Sequence, residues 1–296
     1  NYRTPEGARF YQESLELYER LSVELDFNVL FAKQGHLTLA HSDRAVFVME
    51  ERAEVNRLLG IDSRVIEPSE IKRLAPDLNV SEDAVYPIQA ALYHPPGGTI
   101  RHDAVVWGFA SGADRGGAEI HPYTEVTGIE RSNGRVTGVS TTHGAVRAGT
   151  VVSCTAGWST QVCDLAGVPL PVTTHILQAF VTEALKPFLD VVVVSSQMHL
   201  YVSQTDRGEM LIGAEIEPWT TYRQNGTLNF LQEGSRHALE LFPQLERVRM
   251  LRSWAGLCDL SPDYSPILGE TEVEGFLIST GWGTYGFKAA PIVGST

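Results

Sequence analysis

Towards its end the sequence reads Gly281-Trp282-Gly283-Thr284-Tyr285-Gly286-Phe287-Lys288, three glycines spaced G-x-G-x-x-G with a lysine just beyond. Glycines at that spacing let backbone N–H groups approach a phosphate or a ring. As a nucleotide-binding first turn the motif is misplaced. Only ten residues follow Gly286, too few for a crossover helix, a second strand and the acidic residue that grips a ribose. By spacing alone it is a glycine-rich turn late in the chain. Lys288 falls at an expected helix start, where a cation is mildly unfavourable against the helix dipole. That misplacement favours a functional role for Lys288 over a solvated lysine at a helix start. Thr155-Ala156-Gly157 ends the buried run Gly149 to Cys154, and open sheets bind ligands at strand carboxyl ends. Ordinary turn packing is the competing explanation.

Other chemistries fail on spacing. The nine histidines form no H-x-x-x-H or H-E-x-x-H pair and the three cysteines no C-x-x-C, so no metal site is expected. No G-x-S-x-G elbow or Walker lysine occurs. Paired carboxylates such as Glu50-Glu51 suit a solvated helix face. The net charge of −13 argues against nucleic acid or an anionic membrane as partner. The longest apolar run, Val191 to Val194, fits a strand and not a membrane span. Cys154, Cys163 and Cys258 are odd in number and widely spaced, which predicts reduced thiols in a cytoplasmic protein. Asn1 is no initiator and Gly294-Ser295-Thr296 makes an abrupt end, so a fragment is expected.

The elements that must position these residues follow from periodicity and breakers. Helices are predicted from Pro5 to about Leu25, from Asp43 to Leu59 with Ser42 or Asp43 as cap, and over Pro68 to Ala75. Phe31 to Ala40 alternates as a strand, and Val85 to Thr99 reads as irregular around Pro95-Pro96-Gly97-Gly98. Asp103 to Arg115 is helical, with Asp103 as N-cap and Gly116-Gly117 as stop. Glu119 to His121 and Glu125 to Arg131 read as strands, followed by a hairpin across Thr142-His143-Gly144. Beyond Pro169 the pattern is antiparallel: Ala179 to Glu183, Val191 to Ser195, Leu200 to Gln204 and Met210 to Ile216. A helix over Leu228 to Phe242 and strands at Trp254 to Asp259 and Phe276 to Thr280 complete the set. Two layers result, an α/β part and an antiparallel sheet able to roof a pocket.

Several segments in order then resemble a family: Asn1-Tyr2, Gly35 to His41, Arg101 to Ala110, Glu125 to Gly128, Tyr201 to Gln204 and Gly281 to Thr284. They are similar to β subunits of heterotetrameric sarcosine oxidases, within the D-amino-acid oxidase and glycine oxidase group of flavoproteins. The resemblance covers nearly the whole chain. It implies an FAD-dependent amine oxidase fold, α+β or α/β in class. Residues 1–30, 100–168 and 250–296 would form an incomplete FAD-binding α/β domain. Residues 31–99 and 169–249 would form an antiparallel-sheet domain for substrate and partner. It also implies a βαβ unit and a substrate-side arginine before Asn1, and a helix and tail after Thr296.

The resemblance assigns roles. His102 would carry FMN covalently through the 8α carbon. Attachment requires a neutral imidazole and a positive neighbour, which Arg101 or the N-terminus of the following helix supplies. FAD would be bound non-covalently, with Val126 meeting the adenine through its main chain, Ala156 and Gly157 at a strand end, and Gly281, Gly283 and Gly286 at the ring. Lys288 would lie over that ring near the substrate carboxylate, with His199 and Tyr201 on the substrate side. Arg252 would face the FMN. Packing at a helix start, solvated side chains and plain strand contacts are the structural alternatives for these residues. Tyr285 departs from the family, where glycine is usual, so the loop is expected to pack differently against flavin or substrate.

The activity implied is oxidation of a secondary amino acid, above all sarcosine, to glycine with formaldehyde or methylene-tetrahydrofolate and hydrogen peroxide. The partners implied are a larger α subunit meeting the FMN, and small subunits of a hetero-oligomer. Two alternatives stay open: a single-flavin dehydrogenase of the dimethylglycine type, and a flavin-free scaffold subunit.

Overall fold

In the computed structural model, residues 4–295 are described, so Asn1-Tyr2 of the resemblance lies outside the described residues. The chain runs α1 (Pro5–Glu24), β1 (Ala32–Lys33), β2 (His36–Ala40), α2 (Asp43–Leu58), β3 (Arg64–Ile66), α3 (Pro68–Leu74), β4 (Ala90–His94), β5 (Gly98–Thr99) and α4 (His102–Arg115). It continues through β6 (Val126–Ser132), β7 (Arg135–Thr141), β8 (Gly144–Arg147), β9 (Val151–Ser153), α5 (Ser159–Ala166), β10 (Thr173–Ala184), β11 (Val192–Ser195), β12 (Leu200–Gln204) and β13 (Glu209–Ile216). Then come α6 (Leu228–Leu241), β14 (Met250–Leu260), β15 (Ile267–Glu270), β16 (Phe276–Thr280) and α7 (Gly286–Ser295). Side-chain caps start three of the helices: Thr4, Ser42 and Thr227 accept the N–H of Gly7, Ala45 and Phe230.

An eight-stranded sheet in the order β14-β10-β13-β12-β11-β2-β4-β3 dominates the molecule. Its pairs are antiparallel except β11 with β2. Strand alternation splits its residues between two faces. Leu37, Leu39, Val193, Val202 and Ile212 point into a core shared with Ile71 of α3 and Phe242 after α6. Each buried side chain of this kind contributes about 1.5–3 kcal/mol relative to exposure. A one-residue slip would exchange the two faces and lose that set together, so the register is well specified. The other face presents His36, Val192, Val194 and Tyr201 to a cavity.

Beside it, β9 pairs parallel with β16, which pairs antiparallel with β15. Phe276 and Ile278 of β16 pack on Cys163 and Ala166 of α5 and on Ile129 and Val136 of the β6-β7-β8 meander. Helix α1 packs on α4 through Tyr18, Leu21 and Val105. It is tied to α7 by the Ser14 hydroxyl, which donates to the Lys288 carbonyl at 2.5 Å, and by the Tyr18 hydroxyl, which donates to the Phe287 carbonyl at 2.5 Å. The fold is thus mixed α and β with mostly antiparallel sheets, as the sequence indicates.

Three local expectations fail. Glu119, Ile120 and His121 form no strand: all three are exposed, between Gly116-Gly117 and Pro122, with no partner strand. Asp103 is not the cap of α4. The helix starts one residue earlier with Arg101 at the N-cap, and the Asp103 carboxylate accepts two hydrogen bonds from Arg101, at 3.0 and 2.6 Å. The stretch from Val85 to Thr99 hides β4, which pairs with both β2 and β3. Its Ala90-Ala91 start lacks the β-branched residues that advertise a strand.

Candidate functional site

A cavity of about 1430 Å³ lies between the sheet face, the front of α1 and the turn that leads into α7. Lys288, His199, Tyr201 and Gly283 all line it, joined by His36, Tyr11 and Tyr285. Each is delivered by a local device.

The glycine turn is held from beneath by β14. A carboxyl oxygen of Asp259 accepts the Gly281 N–H at 2.6 Å and the Thr280 hydroxyl at 3.1 Å, and Asp259 is only 4% exposed. Gly281 and Gly283 take φ of +70° and +56°, a region that costs a side chain about 1–2 kcal/mol. Gly286 is needed for space, since a Cβ there would stand 2.9 Å from the Trp282 Cβ. Trp282 donates its indole N–H to Ser279 at 2.9 Å and stacks on Phe10 of α1, centroids 6.3 Å apart. Among these glycines only Gly283 lines the cavity; Gly281 and Gly286 shape the turn behind it.

Lys288 sits in the first turn of α7, open to the cavity yet surrounded by protein. Burial draws its ammonium down from the usual lysine range to about 8. The ammonium stands 4.7 Å from the centre of the Tyr285 ring and 5.6 Å from that of Tyr11. His36, at the start of β2, is held down to about 4 by burial, with smaller pushes from His94 and Lys288. It is therefore neutral at physiological pH, and it was not singled out in the sequence as a site residue.

Tyr201 reaches the cavity because its cross-strand neighbour is glycine. A Cβ on Gly213 would lie 2.0 Å from the Tyr201 Cζ, so the ring lies across the strand there. Burial pushes the Tyr201 phenol up. His199 precedes β12 with φ +50°, a left-handed conformation that a non-glycine residue keeps only where its surroundings fix it. The turn before it is fixed by Ser195, whose hydroxyl lies 2.9 Å from His41 Nε2 and accepts the Met198 N–H at 3.2 Å.

The remaining sequence candidates lie elsewhere. His102 is exposed at the first position of α4, beside Arg101. Arg101 is held charged first by Asp103, then by the more distant Asp206 and Glu209 in the β12–β13 hairpin. Asp103 in turn is drawn down to about 2, chiefly by its hydrogen bonds from Arg101. Glu209, held ionised first by the Thr205 hydroxyl, also feels Arg207 and Arg252. Arg252 is exposed on β14, its guanidinium 5.5 Å from the Trp254 ring centre. Val126 is half-buried at the start of β6, in the separate meander. Ala156 is exposed with φ +45° just after β9. Gly157 is buried, and a Cβ there would meet Leu257 Cβ at 2.6 Å, so contact with β14 alone accounts for that glycine. Among the described residues no group of three or more His, Cys, Asp or Glu side chains could hold a metal ion. None of the described helices is long and apolar enough to cross a membrane.

This geometry can be set against known proteins. A family described as FAD dependent oxidoreductase matches residues 1–296. The chain belongs to that family. Among curated relatives of this FAD-dependent oxidoreductase, sarcosine oxidase subunit beta of Rhizobium meliloti is 41% identical over 294 residues, 99% of this chain and 70% of that protein. Its counterpart in Rhodobacter capsulatus is 40% identical, over 98% of this chain and 70% of that protein. Among solved structures, L-proline dehydrogenase from P. horikoshii superposes with a TM-score of 0.92 at 30% identity, covering 99% of this chain and 78% of that one. Glycine oxidase from Geobacillus kaustophilus, at 22% identity, shares the fold with a TM-score of 0.90, covering 100% and 78%.

The residues present fit the ring end of a flavin. The cavity is roomy, is bordered by a glycine turn whose backbone can approach a ring, and carries one ammonium able to face an anionic ring or carboxylate.

Proposed function

We propose that this chain is the flavin-bearing β subunit of an amine oxidase acting on sarcosine. The observation that carries the reading is the meeting of Lys288, His199 and the Gly283 turn in one cavity, in a chain about 40% identical to sarcosine oxidase β subunits. Sarcosine, oxygen and water would become glycine, formaldehyde and hydrogen peroxide. Where a partner subunit presents tetrahydrofolate, methylene-tetrahydrofolate replaces the formaldehyde.

Bound FAD supplies the two-electron acceptor for the N-methyl carbon, and bound FMN a second carrier that faces oxygen. The chain's own residues do the rest. Lys288 binds the substrate carboxylate through its ammonium, a charge it keeps below about pH 8. His199 offers a hydrogen bond on the same side, and Tyr201 forms the apolar floor. His36, neutral above about pH 4, adds no second cation that would draw the carboxylate away. Gly281, Gly283 and Gly286 keep the turn close to the ring, while Ala156, Gly157 and Val126 would meet the extended part of FAD along the main chain. Residues 1–30, 100–168 and 250–296 form the flavin side, and 31–99 with 169–249 the substrate side; β14 joins the two through its pairing with β10.

His102 carries FMN in this reading. Its support is exposure at a helix N-terminus beside a held-charged Arg101, on a charged surface that includes Arg252. Exposure there also suits burial of the FMN against a larger α subunit of a hetero-oligomer. The test is the full complex, assayed for formaldehyde and peroxide from sarcosine, then denatured and digested for the mass of the His102 peptide. Turnover with an FMN-sized adduct is expected. Formaldehyde without peroxide, together with an unmodified peptide, removes the covalent FMN and leaves a single-flavin dehydrogenase, in line with the likeness to L-proline dehydrogenase. A colourless, inactive complex leaves a scaffold subunit.

A further inference from the structure

The cavity holds an arrangement that carboxylate binding alone does not require. Two tyrosine rings from distant parts of the chain converge on the Lys288 ammonium. Tyr285 lies 4.7 Å from it and Tyr11 5.6 Å, and the two ring centres are 6.4 Å apart at 60°. Both rings line the cavity.

Neither ring can withdraw cheaply. Tyr285 ends the short 3-10 turn Gly283–Tyr285, and its N–H is bonded to the Trp282 carbonyl at 3.0 Å. Tyr11 stands on α1, packed edge-on against Phe10 with centroids 5.3 Å apart. One turn further along, Ser14 ties that helix to the Lys288 carbonyl itself. The rings and the ammonium are therefore mounted on one rigid corner. A ligand whose carboxylate reaches Lys288 must place its next atoms beside these ring faces.

We infer that Tyr11 and Tyr285 are specificity-determining residues, forming a two-ring wall that restricts the cavity to small N-alkyl glycines and turns away secondary amino acids whose α-carbon carries a ring. The inference rests on the proposed oxidase reading and narrows its substrate class. Sarcosine leaves the carboxylate end slim, with a bare methylene beside the rings. L-Proline has the same carboxylate and secondary amine but adds a ring carbon at the α position, where the wall stands. Steric selection of this kind discriminates by roughly 10- to 200-fold per misplaced methylene.

Two unreactive mimics separate binding from turnover. Methoxyacetate replaces the sarcosine nitrogen with oxygen, and tetrahydro-2-furoate does the same for proline. Their dissociation constants are read from flavin absorbance changes in the full complex, for wild type, Tyr285→Ala, Tyr285→Phe and Tyr11→Ala. The wild type is expected to favour methoxyacetate at least tenfold. Tyr285→Ala and Tyr11→Ala each lose most of that preference by gaining affinity for the furoate, and Tyr285→Phe retains it. Retained flavin content confirms that the variants fold, and the gain in furoate affinity is a readout that misfolding cannot produce. No preference in the wild type, or an unchanged preference in both alanine variants, overturns the inference. If the preference follows the rings while sarcosine is not oxidised, the wall stands and the oxidase reading falls.

Discussion

Replacing Asp259 by alanine tests how the glycine turn is held. Its carboxyl oxygen accepts the Gly281 N–H at 2.6 Å and the Thr280 hydroxyl at 3.1 Å inside the protein. Hydrogen bonds to a charged group are worth about 1.5–3 kcal/mol each, so roughly 3–6 kcal/mol is at stake before compensation. Removing a buried carboxylate also returns part of its desolvation cost. A net loss of about 2–4 kcal/mol is expected, local to the turn. That corresponds to roughly 30- to 700-fold more frequent opening, at about 1.4 kcal/mol per tenfold. Amide hydrogen exchange of the peptide spanning residues 276–288, measured in the full complex, reads this directly. Asp259→Asn keeps one acceptor oxygen and should lose less, about 1 kcal/mol. If both variants leave protection of this peptide unchanged, Asp259 does not hold the turn and the account of the glycine loop is wrong.

Three further outcomes are expected. Lys288 carries its charge below about pH 8 and loses it above. Methoxyacetate binding should therefore be level below that pH and fall by about tenfold per unit above it; flavin difference spectra in which Lys288→Met keeps the same alkaline limb would exclude the lysine as its source. Gly213→Ala would press a Cβ into the Tyr201 ring and destabilise the complex by about 1–3 kcal/mol. A second substitution, Tyr201→Ala, should recover most of that in a double-mutant cycle of thermal stability, and additive losses would refute the contact. Ser195→Ala removes the partner of His41 and of the Met198 N–H at a cost of about 1–3 kcal/mol, seen as faster exchange confined to residues 195–200; unchanged exchange there would show that the hydroxyl does not fix the His199 turn.

Much of the architecture was legible because its signals are local. The four β-branched residues Val191 to Val194 and the alternation of β12 announce strands, and Pro5 and Ser42 announce helix starts. Lys288, His199, Tyr201 and the glycine turn are candidates through their neighbours in sequence, and the three side chains and Gly283 line one cavity. What escaped depends on contacts between distant segments. Asp259 lies at the end of a strand and carries no sign that its carboxyl will hold a turn some twenty residues on. Tyr11 reads as one aromatic on an amphipathic helix until α1 meets α7. Gly213 could have been flagged, since a glycine inside an apolar strand marks a close approach. His36 lies within the segment Gly35 to His41 that carries part of the resemblance, but only burial beside Lys288 separates it from an ordinary strand histidine. Asp103 misled because an acidic residue at a helix start has two uses, capping the backbone or pairing with a neighbouring arginine, and Arg101 is adjacent.

The tie between α1 and α7 bears on when the site comes into being. Ser14 and the carbonyl it bonds are 274 residues apart, so a ribosome adding about 5–20 residues per second makes the two partners on the order of ten seconds to a minute apart. Through that interval Phe10 and Tyr11 lack the Trp282 and Tyr285 rings they finally face. The eight-stranded sheet is complete once β14 has emerged, before the glycine turn and α7 exist. The corner that mounts Lys288 beside Tyr11 and Tyr285 is therefore assembled only once α7 has been made and α1 closes on it. Parting α1 from α7 would undo this corner without breaking any strand pairing of the eight-stranded sheet.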